Sequence, residues 1–184
     1  MPHRTPRVRV SALPFASPSQ FRRRRSPRHG LGVFAVRAIA AGVRIIEYSG
    51  EQITHAEGER RYPTQADGDE EAEHTYLLQL DDDRVIDANV GGNDARFINH
   101  SCAPNCEPMP ALDRMWIVSV RRIQPGEELG YDYAIELDEP HTNARKRRFP
   151  CRCGARGCRG TLLKPKHAPH HPLVRAARRR WSLS

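Results

Sequence analysis

The sequence predicts a mostly β chain with short helices, on three observations. Apolar residues come in short runs that alternate with polar ones, as at Trp116, Val118 and Val120. Turn-forming residues break these runs at close intervals, as at Ala41-Gly42, Asp81-Asp82-Asp83 and Pro125-Gly126. Strands do not alternate with long helical patterns, so a parallel βαβ sheet is not expected.

Taken in order, residues 1–28 are rich in Arg, Pro and Ser and poor in apolar residues, which predicts a disordered basic arm. At His29 the character changes. Gly30 and Gly32 permit a close backbone approach, and Val33 to Val36 read as a short strand. Without a third glycine and a following helix, this Gly-x-Gly does not support a dinucleotide-binding reading. A turn at Ala41-Gly42 leads into a second strand over Val43–Tyr48, and Glu51 to about Arg61 is expected to form a short helix. Tyr62 to Glu73, with Pro63 and Gly68, reads as an exposed acidic loop. Thr75–Leu80 and Arg84–Asp87 flank Asp81-Asp82-Asp83 as a hairpin would; these three carboxylates lack the spacing of an EF-hand and are read as a turn. Gly91-Gly92 breaks the chain, and Arg114–Arg122 reads as a strand.

At 184 residues the chain suits one domain with tails. No apolar run is long enough to span a membrane, and the N-terminus has no apolar signal core, so an intracellular protein is expected. The net charge of +8 hides a division. Residues 1–29 hold eight Arg and no acid, and residues 164–184 hold six Lys or Arg and no acid. Setting those 14 aside from the 30 basic residues leaves 16 against 22 acids in residues 30–163. The body is therefore acidic, which suits a basic protein or peptide as partner, and places any nucleic-acid contact in the tails. Residues 51–94 alone hold 13 acids against three Arg, enough to steer a cationic tail.

The chain is organised around Arg96-Phe-Ile-Asn-His-Ser-Cys-Ala-Pro-Asn-Cys106. Asn99 and His100 set amide and imidazole side by side, a thiol follows at Cys102, and Pro104 forbids a continuing helix. Asn-His-Ser is formally a glycosylation sequon, without meaning in an intracellular protein. Near the C-terminus, Cys151, Cys153 and Cys158, with Gly154 and Gly157 between them, can wrap three corners of a tetrahedral zinc ion. A closed structural site needs a fourth ligand, and Cys102 and Cys106 are both available.

Three of these stretches, Arg96–Cys102, Glu128-Leu-Gly-Tyr-Asp-Tyr133 and the Cys151/Cys153/Cys158 cluster, together resemble the SET-domain protein-lysine methyltransferases with a post-SET zinc knuckle. His29-Gly-Leu-Gly32 and Glu47-Tyr-Ser-Gly-Glu51 match two further motifs of that family, in the family's order. The resemblance is nearest to the trithorax or mixed-lineage-leukaemia type and covers residues 29–163. It implies a SET-domain fold with a pseudoknot over 29–138, a small zinc-binding post-SET segment over 139–163, and a disordered basic tail over 164–184. It implies S-adenosylmethionine as cofactor, held by His29, Gly30, Leu31, Gly32, Tyr76, Asn99, His100, Arg152 and Leu162. Zn²⁺ would be bound by Cys102, Cys151, Cys153 and Cys158, leaving Cys106 free. Tyr48, Tyr131 and Tyr133 would build the lysine channel, with Tyr133 at the family's catalytic tyrosine. The expected monomer would methylate a lysine on a basic protein such as a histone tail. A catalytically silent SET-like peptide-binding module and a zinc-containing nucleic-acid binder are the competing readings.

Overall fold

The computed structural model describes residues 13–63, 76–137 and 139–165. Ten short strands and two short helices make up these residues, with four small sheets rather than one large one. No helix among them is long and apolar enough to cross a membrane.

The first sheet corrects the expectation of a disordered arm over 1–28. Residues 1–12 lie outside the described residues, but β1 (Phe21–Arg25) pairs antiparallel with β2 (Leu31–Ala35), from Phe21 opposite Ala35 to Arg25 opposite Leu31. Arginine-rich sequence can form this strand because the guanidinium groups find aromatic faces. Arg24 lies 3.8 Å above the Phe34 ring, and Arg23 lies 4.9 Å from Phe97 while pairing with Asp94 at 3.1 Å. Upstream, Arg44 donates to the Leu13 carbonyl and stacks 3.7 Å from Phe15, which pins residues 13–16 across the next strand.

β3 (Arg44–Glu47) joins β9 (Arg114–Ser119) and β8 (Cys106–Ala111) in the order β3-β9-β8. β8 contains Pro108 and Pro110, which cannot donate to a ladder, and accordingly lies at the edge of this sheet. The two prolines are two residues apart, so both missing N–H groups fall on the same, unpaired side. The alternation expected along β9 holds, but both faces are covered. Met115 and Ile117 enter the main core with Val33, Ile39, Ile98, Ile123 and Leu129, while Val118 and Trp116 pack with Leu13 and Met109.

In the third sheet, β4 (Glu51–Thr54) and β5 (Leu77–Gln79) flank β6 (Arg84–Asp87). Here the helix expected over 51–61 is shorter: 51–54 is strand, and α1 runs His55–Arg61. Thr54 divides them, because its hydroxyl accepts from the Glu57 amide and caps the helix. The hairpin reading of β5 and β6 holds. Asp81 accepts from the amides of Asp83 and Arg84 and so builds the turn. Most of the acidic loop expected over 62–73 lies outside the described residues.

The last sheet is a parallel pair of two-residue strands, β7 (Asn99–His100) and β10 (Gly130–Tyr131), with Asn99 opposite Gly130 and His100 opposite Tyr131. It lays the two segments that the resemblance assigns to the pseudoknot side by side. α2 (Asn143–Arg148) precedes the cysteine cluster. The chain then docks back: Leu163 is buried and bridges Ile135, and the Lys164 amide donates to the Ile135 carbonyl at 2.8 Å. Lys164 thus belongs to the body, and the tail from 166 lies outside the described residues.

Candidate active site and metal centre

The β7–β10 pair delivers two groups of side chains. Around Asn99, the amide nitrogen donates to the carbonyls of His29 (3.2 Å) and Leu31 (2.9 Å) and to Glu128 Oε1 (2.8 Å). The Asn99 side chain is therefore held against the turn that carries His29, Gly30, Leu31 and Gly32. Glu128 is the residue that motif reading passed over. Its side chain is almost fully buried, accepts from Ser26 Oγ at 3.0 Å, and stands against Gly32, where a Cβ would lie 2.4 Å from Oε1. Gly32 is thus demanded by this approach, while Gly30, at φ +48°, is demanded by the turn.

Around His100, the ring stacks edge-on against Tyr133 (centroids 5.4 Å apart), and its Nδ1 accepts from the Tyr133 amide at 3.1 Å. Burial pushes the imidazole down to about 4, against the pull of Asp132, whose carboxylate lies 3.5 Å from Nδ1. The amide contact settles the form: an Nδ1 that accepts is unprotonated, so the ring is neutral with its proton on Nε2.

Tyr133 begins the aromatic cluster. Tyr131 and Tyr133 have ring centroids 5.0 Å apart, Tyr133 Oη donates to the Ile98 carbonyl at 3.1 Å, and Tyr48 Oη donates to the Tyr76 carbonyl at 3.1 Å. Burial raises the pKa of all three phenols well above the ordinary value, and the neighbouring phenols add to it. They remain neutral at any physiological pH. Tyr76, expected beside the cofactor residues, packs against this cluster and against Phe97, 5.8 Å away edge-on.

The cysteines also converge. Cys102 Sγ lies 3.7 Å from Cys151 Sγ and 4.0 Å from Cys158 Sγ, those two are 3.6 Å apart, and the Cys102 amide points at Cys153 Sγ at 3.4 Å. A tetrahedron of sulfurs about 2.3 Å from zinc has edges of about 3.8 Å, so the spacing fits. An overlapping quartet, His100, Cys102, Cys151 and Cys153, has its ligand atoms within 4.8 Å of one another. Cys106 stands apart: it is fully buried, and burial pushes its thiol up to about 12.

Arg159 is the second residue missed in the sequence. It grips Asp132 with two nitrogens (2.7 and 2.6 Å) and donates to the carbonyls of Leu162 and Leu163, tying the cysteine segment to the Tyr-Asp-Tyr turn. Leu162 is held there half-buried, whereas Arg152 is exposed. The only advance signal for Arg159 was an aspartate framed by two tyrosines with no partner assigned.

This fold and this clustering define a SET domain, and the chain belongs to the SET-domain family, whose model matches residues 30–134. Among known proteins it is similar to the histone-lysine N-methyltransferase trithorax of Drosophila virilis, 39% identical over 145 residues, which cover 75% of this chain and 3% of that protein. It is also similar to histone-lysine N-methyltransferase trr of Drosophila melanogaster (41% over 143 residues, 73% of this chain, 5% of the relative) and to histone-lysine N-methyltransferase 2B of Homo sapiens (40% over 145 residues, 75% of this chain, 5% of the relative). The chain therefore spans only a few per cent of the length of these relatives.

Proposed function

We propose that this chain is a protein-lysine methyltransferase using S-adenosylmethionine and acting on a basic protein such as a histone tail. The observation that carries the reading is the junction at His100 and Tyr133. One short parallel strand pair joins the Asn99 group to a buried, neutral tyrosine cluster. The relatives named as histone-lysine methyltransferases support the same substrate class.

When bound, S-adenosylmethionine supplies an electrophilic methyl group on a sulfonium. This chain's residues supply position and environment. The convergence of His29, Leu31 and Glu128 on one amide nitrogen of Asn99 builds a polar cradle with backbone groups close at hand, which fits the amino-acid end of such a cofactor. Tyr48, Tyr131 and Tyr133 build a low-dielectric channel that disfavours a lysine ammonium, whose ordinary pKa is about 10.4, and so favours the neutral amine. The Tyr133 hydroxyl spends its proton on the Ile98 carbonyl, which leaves its oxygen lone pairs to orient an amine N–H. Alignment, rather than acid–base chemistry, then supplies much of the rate.

For the metal, four thiolates from Cys102, Cys151, Cys153 and Cys158 are the better set. His100 Nε2 could coordinate only after its proton moved to Nδ1, where it would oppose the Tyr133 N–H. Zinc in that set would close the post-SET segment over the Asn99 side, with Leu162 and Arg152 as its contribution to the cofactor wall.

The test is incubation with methyl-labelled S-adenosylmethionine and mixed histones, followed by mapping of the label. Label on lysine is expected. Binding of cofactor or peptide without transfer would favour a silent module instead.

A further inference from the structure

We propose that β1 and the cleft beside it form a docking surface for the phosphate backbone of duplex DNA. β1 lies within the 1–28 arm, one of the two basic tails to which the sequence assigns any nucleic-acid contact, and its pairing with β2 holds that arginine ridge in place on the folded body.

Residues 22–28 contain five arginines and no acid, and Arg22 to Arg25 are all exposed. Two of them are anchors. Arg23 is committed to Asp94 and Phe97, and Arg24 to the Phe34 ring and the Gly126 carbonyl. Arg28 stands 4.0 Å from Glu128, which leaves Arg22 and Arg25 with no ion-pair partner among the described residues. Beside the ridge is an open cleft of about 570 Å³ lined by Arg24, Arg25, Arg28 and Arg121. The two acids in that cleft are already occupied: Glu127 pairs with Arg121 at 2.8 Å, and Glu128 is buried on Asn99 and Ser26. A fixed strand with unneutralised guanidinium groups is built to bind phosphate oxygens.

A solvated edge strand guarded against aggregation is the plainer account, but one or two charges suffice for that. The choice of duplex over single strand rests on the aromatics. Single-stranded nucleic acid needs exposed rings on which bases stack. Here Phe34 is buried beneath Arg24, and Phe97 lies under Arg23 and Arg96. Only phosphate contacts remain, and a duplex offers them most densely.

This inference goes beyond the methyl-transfer reading and does not depend on it, because binding is measured without cofactor. Fluorescence anisotropy of a labelled short DNA duplex, titrated with the full chain over a salt series, should give a log–log dependence with a slope of about −0.9 per phosphate neutralised. The double variant Arg22→Ala, Arg25→Ala should bind about tenfold more weakly at low salt, with the slope shallower by about two. Its melting temperature and its activity on a free peptide should be unchanged. Three results would each overturn the proposal: no duplex binding at low salt, wild-type affinity and slope in the double variant, or tighter binding of a single-stranded RNA of equal charge.

Discussion

Gly32 shows how closely the site is fitted at the scale of single residues. An added methyl would meet Glu128 Oε1 at 2.4 Å and the Phe34 ring at 3.1 Å. Glu128 could yield only by releasing Asn99. Gly32→Ala should therefore weaken S-adenosylmethionine binding by about tenfold or more, the cost of one charge-assisted hydrogen bond, as read by equilibrium dialysis. Tyr131 carries a different consequence. Its hydroxyl can hold a water beside the lysine nitrogen and so occupy room that a further methyl would need, which makes monomethyl-lysine the expected product. Tyr131→Phe should move products toward dimethyl- and trimethyl-lysine without loss of rate, as mass spectrometry of a methylated peptide would show. Asn99, His100 and the tyrosines were legible in the sequence because unusual residue types stood next to one another. Glu128 and Arg159 were not, because their roles arise from partners 29 and 27 residues away, Asn99 and Asp132.

At the scale of elements, the cysteine-bearing segment after α2 is tied to the body at two places, the convergence of its thiols on Cys102 and the Arg159–Asp132 pair. The full chain should hold about one zinc, the content of a single four-thiolate site. Cys153→Ser should lose it and, with it, cofactor binding, whereas Cys106→Ser should keep it; metal analysis beside cofactor binding checks both. The β4-β6-β5 sheet turns on Asp87, which is fully buried. It accepts from Tyr62 Oη at 3.0 Å, Arg61 at 3.1 Å and the Asn89 amide at 3.0 Å. Burial opposes its charge, but these donors hold its pKa below the ordinary value. A carboxylate depressed in the folded state stabilises fully above its unfolded pKa of about 3.9, and that stability fades as pH falls through the folded value. Asp87→Asn should cost about 2–3 kcal/mol at neutral pH in urea unfolding, and the gap to wild type should narrow in acid below the unfolded value. The strand at 51–54 was missed because Glu51 and Gln52 carry no β signal; pairing with β6 decides it. β1 was missed because an arginine run reads as self-repelling until aromatic faces lie beneath it.

At the scale of the whole molecule, the division into acidic body and basic tails needs redrawing. Basic residues already lie within the fold, at β1 and α2. Many acids of 51–94 are spoken for: Glu51, Glu57 and Asp87 share Arg61, and Asp81 holds Arg84. The acidic excess of this region survives these pairs, since Arg61 and Arg84 are already among the three arginines set against its 13 acids and Arg61 offsets only one of its three carboxylates. The architecture itself was legible because five short motifs fell in one order. The pairing of β7 with β10 could not be read from periodicity, since each strand is only two residues long.

The junction of the Asn99–His100 strand with the tyrosine cluster is where methyl transfer would take place, and Tyr133 is its test. Lysine methylation of a histone-tail peptide should be followed for the native chain and for Tyr133→Phe, with cofactor affinity measured on the same samples. The account predicts unchanged affinity and a rate lowered by roughly a hundredfold or more, the cost of losing alignment at the amine. A Tyr133→Phe chain that methylates lysine at the native rate would contradict it.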